Sequence, residues 1–262
     1  MPVTRDHVEQ ILADADELLV EIVNRHTSPG LAIGVVHDGE LVYAKGLGFA
    51  DVESKRPVTT DTVFRIGSTS KTLTAIGLMQ LWEQGRLDLD DPVVGHLRSY
   101  RFEQPEGTRP VTIRDMFTHT SGVGEVRGLT DLRLRGAGLA APEGEPIPSL
   151  KQWYARGLRA EVGPGQKWAY ANHAIATLGQ LIEDISGQPF EEYMLEHVLE
   201  PLGMLGSDFL RSQRVRDRLA VGYKRKRGRF EPVRYLDIVV AAAGSMFSSI
   251  DDMARYLTAL MS

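Results

Sequence analysis

The stretch Phe64-Arg65-Ile66-Gly67-Ser68-Thr69-Ser70-Lys71-Thr72-Leu73-Thr74-Ala75 limits what this chain can fold into more than any other. It reads as the end of an extended segment, a tight approach at Gly67, and a helix that opens at Ser68. Leu73, Ile76, Leu78, Leu81 and Trp82 then fall at mostly helical spacing, and Gly85 supplies a C-terminal stop. Ser68 and Lys71 lie three residues apart, so on a helix they share one face, one turn from each other. A serine hydroxyl is a weak nucleophile until a base takes its proton, and a lysine is that base only when neutral. Burial disfavours the ammonium, and a helix N-terminus favours anionic charge developing at Ser68. The bland alternative is a capping serine followed by a solvated lysine. Spacing alone does not separate the two.

With 262 residues, 42% of them hydrophobic, the chain suits one large domain or two interleaved subdomains. Its net charge of −5 argues against a nucleic-acid or anionic-membrane binder. No apolar run approaches the ~18–20 residues needed to span a bilayer. The residues Met1 to His7 lack the apolar core of a secretory signal, so a cytoplasmic or already processed chain is expected. There is no cysteine, which removes disulfides and thiol catalysis. The seven histidines are scattered without a paired-ligand spacing, so neither a metal nor another cofactor is expected.

Before the serine, Asp6 to Asn24 carries a one-sided apolar pattern that predicts a helix broken at Pro29-Gly30. Leu31–His37 and Leu41–Lys45 predict two strands joined through Asp38-Gly39, and Gly46–Thr60 reads as a polar connection. After Gly85, the acids of Leu87–Pro92 read as a solvated turn. Val111–Phe117 predicts a helix capped by Thr112, with Asp115 completing a near capping box, and His119-Thr120-Ser121-Gly122 ends it. His119 is either a general base or a helix-end histidine bonded to backbone, the second being the simpler reading. Gly122–Pro148 reads as a long loop able to wall a pocket.

Further on, Glu161–Gly165 is a turn cluster leading to Tyr170-Ala171-Asn172 and a helix ended by Gly187. Another helix starts at Pro189. The basic run Lys224–Arg229 reads as an exposed hairpin tip, and a last helix runs through Ile250, Met253, Ala254, Leu257 and Leu260. A tyrosine beside a lysine can share its proton shuttling, because the cation favours the phenolate, and an asparagine amide can bond a substrate carbonyl or the lysine. Equally, Tyr170 could be a half-buried packing residue and Asn172 a helix cap.

Taken together, these segments resemble the serine β-lactamase and penicillin-binding-protein superfamily, in the branch of class C β-lactamases, low-molecular-weight D,D-peptidases, D-aminopeptidases and related esterases. The Ile33–Val36 and Leu41–Ala44 hairpin, the Ser68-Thr69-Ser70-Lys71 motif, Met116–Gly122, Tyr170-Ala171-Asn172, Pro201-Leu202-Gly203-Met204, Ala243-Gly244-Ser245-Met246 and Asp252-Met253-Ala254-Arg255 occur in that family's order. The resemblance implies an α/β (α+β) fold, an antiparallel sheet flanked by helices with an inserted all-helical subdomain. It implies one catalytic domain over 1–262, with the sheet from 1–67 and 211–262 and the helical part from 68–210. It also implies acyl transfer to an ester, amide or β-lactam carbonyl of a small-molecule or peptide substrate. Ser68 would be the nucleophile, Lys71 and Tyr170 would manage its proton, and Asn172 would position the substrate.

One departure accompanies the resemblance. The family's third motif, Lys-Thr-Gly or His-x-Gly, belongs on a strand after the Asp252-Met253-Ala254-Arg255 helix and carries the second oxyanion donor. It is not reached by Ser262, while His37-Asp38-Gly39 and Lys226-Arg227-Gly228 match its letters only at earlier turns. The expectation is therefore a domain without its C-terminal strands, with a second chain or segment completing the sheet, or a weak homologue that acts by binding or assembly.

Overall fold

In the computed structural model, which describes residues 4–25, 28–124, 139–142 and 146–262, the chain forms two units. The first comprises Met1–Arg65, Leu199–Arg234 and Phe247–Ser262, and the second Ile66–Val198 and Tyr235–Met246. Among the described residues no helix is long and apolar enough to cross a membrane.

The first unit is built on an antiparallel sheet with the order β1 (Gly30–His37), β2 (Glu40–Asp51) and β3 (Arg56–Pro57). Asp38 and Gly39 take positive φ angles of 48° and 77°, the geometry a two-residue hairpin needs. The register runs from His37 opposite Glu40 to Gly30 opposite Gly48, with an irregularity between Val35 and Val36. Strand β2 is longer than its sequence suggested, because Gly46–Asp51 continues the ladder instead of forming a polar connection. Glycine here marks a close approach: a Cβ on Gly46 would lie 2.1 Å from the Val58 carbonyl oxygen.

Helix α1 (Arg5–Asn24) is capped by Thr4, whose hydroxyl accepts the His7 N–H. It lies against β2, where Asp16 receives hydrogen bonds from Tyr43 and, at 2.7 Å, an ion pair from Lys45. The last helix, Ile250–Met261, starts at the Ser249 cap and covers β1 and β2. Its buried Asp252 accepts from the Gly206 N–H at 2.8 Å and the Ser207 hydroxyl at 2.7 Å, and Arg255 supplies the countercharge at 2.8 Å. Tyr223–Lys226 and Arg229–Pro232 form the expected basic hairpin around Arg227-Gly228.

The second unit is helical and centres on α3 (Asn172–Ser186), with α2 (Ser70–Glu83), Ile113–Phe117 and the short helix Ala241–Gly244 against it. From His173 to Ile182 every residue of α3 is buried, as a helix surrounded by others requires. Leu73, Leu78, Leu81, Ile113, Met116, Leu178, Leu181 and Ile182 are fully enclosed. Gly179 admits the Ala241–Gly244 helix, since a Cβ there would stand 2.5 Å from that of Ala242. Part of the predicted 122–148 loop is a strand: Ala140–Pro142 pairs antiparallel with Leu236–Ile238. Residues 125–138 and 143–145 of that stretch lie outside the described residues.

The fold is thus mixed, with antiparallel sheet and helices, as the resemblance implied.

Candidate active site

All four residues singled out from the sequence lie in the helical unit, and their side chains meet. Ser68 does not open an α-helix. Gly67–Thr69 is a 3₁₀ turn, and α2 begins at Ser70. The junction is tied by Ser70, whose hydroxyl donates to the Gly67 carbonyl at 2.6 Å and accepts the N–H of the distant Met246 at 3.2 Å. A 3₁₀ turn has three residues per turn, so Ser68 and Lys71 still share one face. Lys71 Nζ donates to Ser68 Oγ at 3.1 Å.

Two further acceptors complete the lysine's surroundings. Nζ donates to Asn172 Oδ1 and to the Ala243 carbonyl, each at 2.7 Å. The Ala243 carbonyl is held in place because the neighbouring Ala242 carbonyl accepts the buried Thr74 hydroxyl at 2.8 Å. Tyr170 approaches from the segment before α3, and its hydroxyl donates to Ser68 Oγ at 2.8 Å. The centre of its ring is 4.8 Å from Lys71 Nζ, within cation–π range. Asn172 is not the cap of α3: Ala171 takes that position and Asn172 is the first helical residue, leaving its amide to Lys71.

His119 is bonded to backbone, the simpler of its two readings. Its Nδ1 accepts the Ala171 N–H at 3.3 Å, and its carbonyl accepts the Ala169 N–H at 2.9 Å. The turn that carries it rests on Asp115, which closes a full capping box with Thr112 and pairs with Arg109 at 2.6 and 2.8 Å. Burial pushes the Asp115 carboxyl up, but the Arg109 pair and the Thr112 bonds outweigh it and hold the group below the ordinary carboxylate range.

Two contacts of this cluster were missed in the sequence. The Ala243 carbonyl is a backbone atom, invisible to any side-chain motif, although its segment stood among the matched ones. The link from His119 to the Tyr170 segment joins stretches far apart in the chain, and no spacing announces it.

In this arrangement the Ser68 hydroxyl, in the exposed 3₁₀ turn before α2, lies within proton-exchange distance of Lys71 and Tyr170. Known proteins share this chain's sequence pattern and fold. The family described as Beta-lactamase matches residues 8–262. Esterase EstB of Burkholderia gladioli is 29% identical, over 95% of this chain and 70% of its own length. The Bacillus subtilis protein PbpX, which carries a penicillin-binding-protein name, is 29% identical over 87% of this chain. The octameric penicillin-binding protein homologue from Pyrococcus abyssi superposes with a TM-score of 0.79 and 33% identity over 94% of this chain. The chain spans 54% of PbpX and 55% of the Pyrococcus chain, about half of each. With a family match over nearly its whole length, the chain belongs to the β-lactamase family.

Proposed function

We propose that this chain is a serine hydrolase that works through an acyl-enzyme on an ester, amide or β-lactam carbonyl. The observation that supports it most is the double hydrogen bond on Ser68 Oγ, from Lys71 at 3.1 Å and Tyr170 at 2.8 Å. In the reacting state these bonds reverse. A neutral Lys71 keeps two N–H groups for Asn172 and Ala243 and turns its lone pair to the serine hydroxyl. Alternatively, with Lys71 kept as ammonium, Tyr170 as phenolate is the acceptor for that proton.

Ser68 Oγ then bonds to the substrate carbonyl carbon while its proton passes to Lys71 or Tyr170. The carbonyl electron pair moves onto oxygen, where the Ser68 backbone N–H would serve as a donor to the developing charge. Collapse of this intermediate expels the leaving group, which takes the proton back from the pair. Water repeats the sequence on the acyl-serine and releases the acid. Asn172 has two parts in this reading: Oδ1 holds Lys71, and the amide nitrogen is a donor for a substrate carbonyl.

Labelling with a fluorophosphonate or a reporter penicillin tests the proposal. Wild type is expected to be labelled at Ser68, and Ser68→Ala to be folded and unlabelled. Labelling that survives in Ser68→Ala moves the nucleophile elsewhere. A folded wild type that neither reagent labels favours a homologue that only binds.

A further inference from the structure

We infer that His119 is the positioning residue that sets the Tyr170 hydroxyl against Ser68, an inference that rests on the proton-transfer role proposed for Tyr170. Tyr170 has no regular element to hold it. Residues 167–171 are irregular backbone, and Tyr170 is 37% exposed. Its hydroxyl nevertheless has to stay at 2.8 Å from Ser68 Oγ. What fixes the backbone on either side is one residue. The His119 carbonyl takes the N–H of Ala169, and His119 Nδ1 takes the N–H of Ala171, so both amides flanking Tyr170 are bonded to His119.

The ring itself adds a third contact. It lies 4.7 Å from the Tyr170 ring at 43°, with Trp168 edge-on at 6.0 Å on the same imidazole. His119 holds this pose at a φ of 60°, a left-handed conformation that few residues other than glycine adopt, asparagine, aspartate and histidine more readily than the rest. Neighbouring bonds sustain it: the Thr120 N–H donates to the Asp115 carbonyl at 2.9 Å, and the Gly165 N–H donates to the Thr120 carbonyl at 2.8 Å. His119 thereby acts on the chemistry through Tyr170 and not on the reacting atoms.

Asparagine separates a positioning role from packing. Its Oδ1 stands where histidine Nδ1 stands, and it accepts the left-handed backbone, so His119→Asn keeps the bond to Ala171 while losing the ring. His119→Phe keeps a ring and loses the acceptor. The rate of Ser68 acylation by a fluorophosphonate is expected to fall by about tenfold to a hundredfold in His119→Phe, the scale of a small misplacement of a catalytic group. His119→Asn is expected to recover to within about threefold of wild type if the acceptor is what matters.

The decisive reading is a double-mutant cycle. In a Tyr170→Phe background the His119→Phe substitution is expected to change the rate by less than about twofold, because the group it positions is gone. Should His119→Phe not fold, as its melting curve would reveal, His119→Ala takes its place in the same cycle. Independent, multiplying effects of the two substitutions overturn the inference and leave the role of Tyr170 standing. A Tyr170→Phe variant that acylates at the wild-type rate removes both.

Discussion

Two lysines of this protein each sit beside a tyrosine, and only one of them meets a carboxylate. Lys45 pairs with Asp16 at 2.7 Å, and Tyr43 donates to the same carboxylate. Lys71 finds three neutral oxygens instead, on Ser68, Asn172 and Ala243, and no carboxylate among its hydrogen-bond partners in the described residues. The ingredients are similar and the consequences differ. In the first cluster the carboxylate pairs with the lysine and helps hold the phenol protonated, so the cluster is a structural tie between α1 and β2. Neutral acceptors orient a lysine without committing it to its proton, and a lysine so placed can act as a base. The countercharge, more than the residue types, separates the tie from the cluster proposed to react.

The strongest way to break this contrast is to remove the proton carriers of the second cluster. Lys71→Ala and Tyr170→Phe are each expected to slow acylation by ~10²-fold or more, the usual scale for losing a general base. Lys45→Ala, in the other cluster, is expected to leave the rate unchanged. Stopped-flow labelling of the three variants checks both halves, and a similar rate loss in Lys45→Ala would sink the distinction.

A subtler test converts one cluster into the other. Asn172→Asp is nearly isosteric and places a carboxylate on Lys71 where an amide oxygen stood. It is expected to slow acylation by about 10- to 10²-fold at neutral pH, since the lysine is then held as ammonium. Part of the rate is expected to return as pH rises. A pH-rate profile identical to wild type would show that the missing countercharge has no bearing on reactivity.

How far this could be read from the sequence differs between site and scaffold. Ser68 and Lys71 were legible because a three-residue spacing brings side chains together in an α-helix and in a 3₁₀ turn alike. Tyr170-Ala171-Asn172 was legible only through resemblance to a family, since nothing in its local pattern places it beside Ser68. The full length of β2 was not legible: Gly46 and Gly48 weaken its strand signal, and the close backbone approaches that require them come from Val58 at Gly46 and from Pro29 at Gly48. Ala140–Pro142 was hidden for a similar reason, because its strand character comes from pairing with Leu236–Ile238, far along the chain. Long-range pairing leaves little trace in a local window.

The smallest expected effect sharpens the comparison from its inert side and touches no activity. Burial and then the bond to Asp16 push the Tyr43 phenol up to about 12. Asp16 moves the opposite way: its bonds to Lys45 and Tyr43 outweigh the desolvation and hold it below the ordinary carboxylate value. The signs are those of a structural tie. A phenol raised in the folded state adds stability that is complete below its unfolded value near ~10 and is lost as pH climbs through the folded one. The depressed carboxyl adds stability above its unfolded value and loses it as pH falls through the folded one. A phenolate absorbance titration of wild type minus Tyr43→Phe is expected to isolate one tyrosine ionising near 12. In Asp16→Asn that midpoint is expected to drop while staying above ~10, because burial, the larger cause, remains. A Tyr43 that titrates as an ordinary exposed phenol in wild type would mean that the first cluster does not hold in solution. The contrast between the two lysines would then lose its reference.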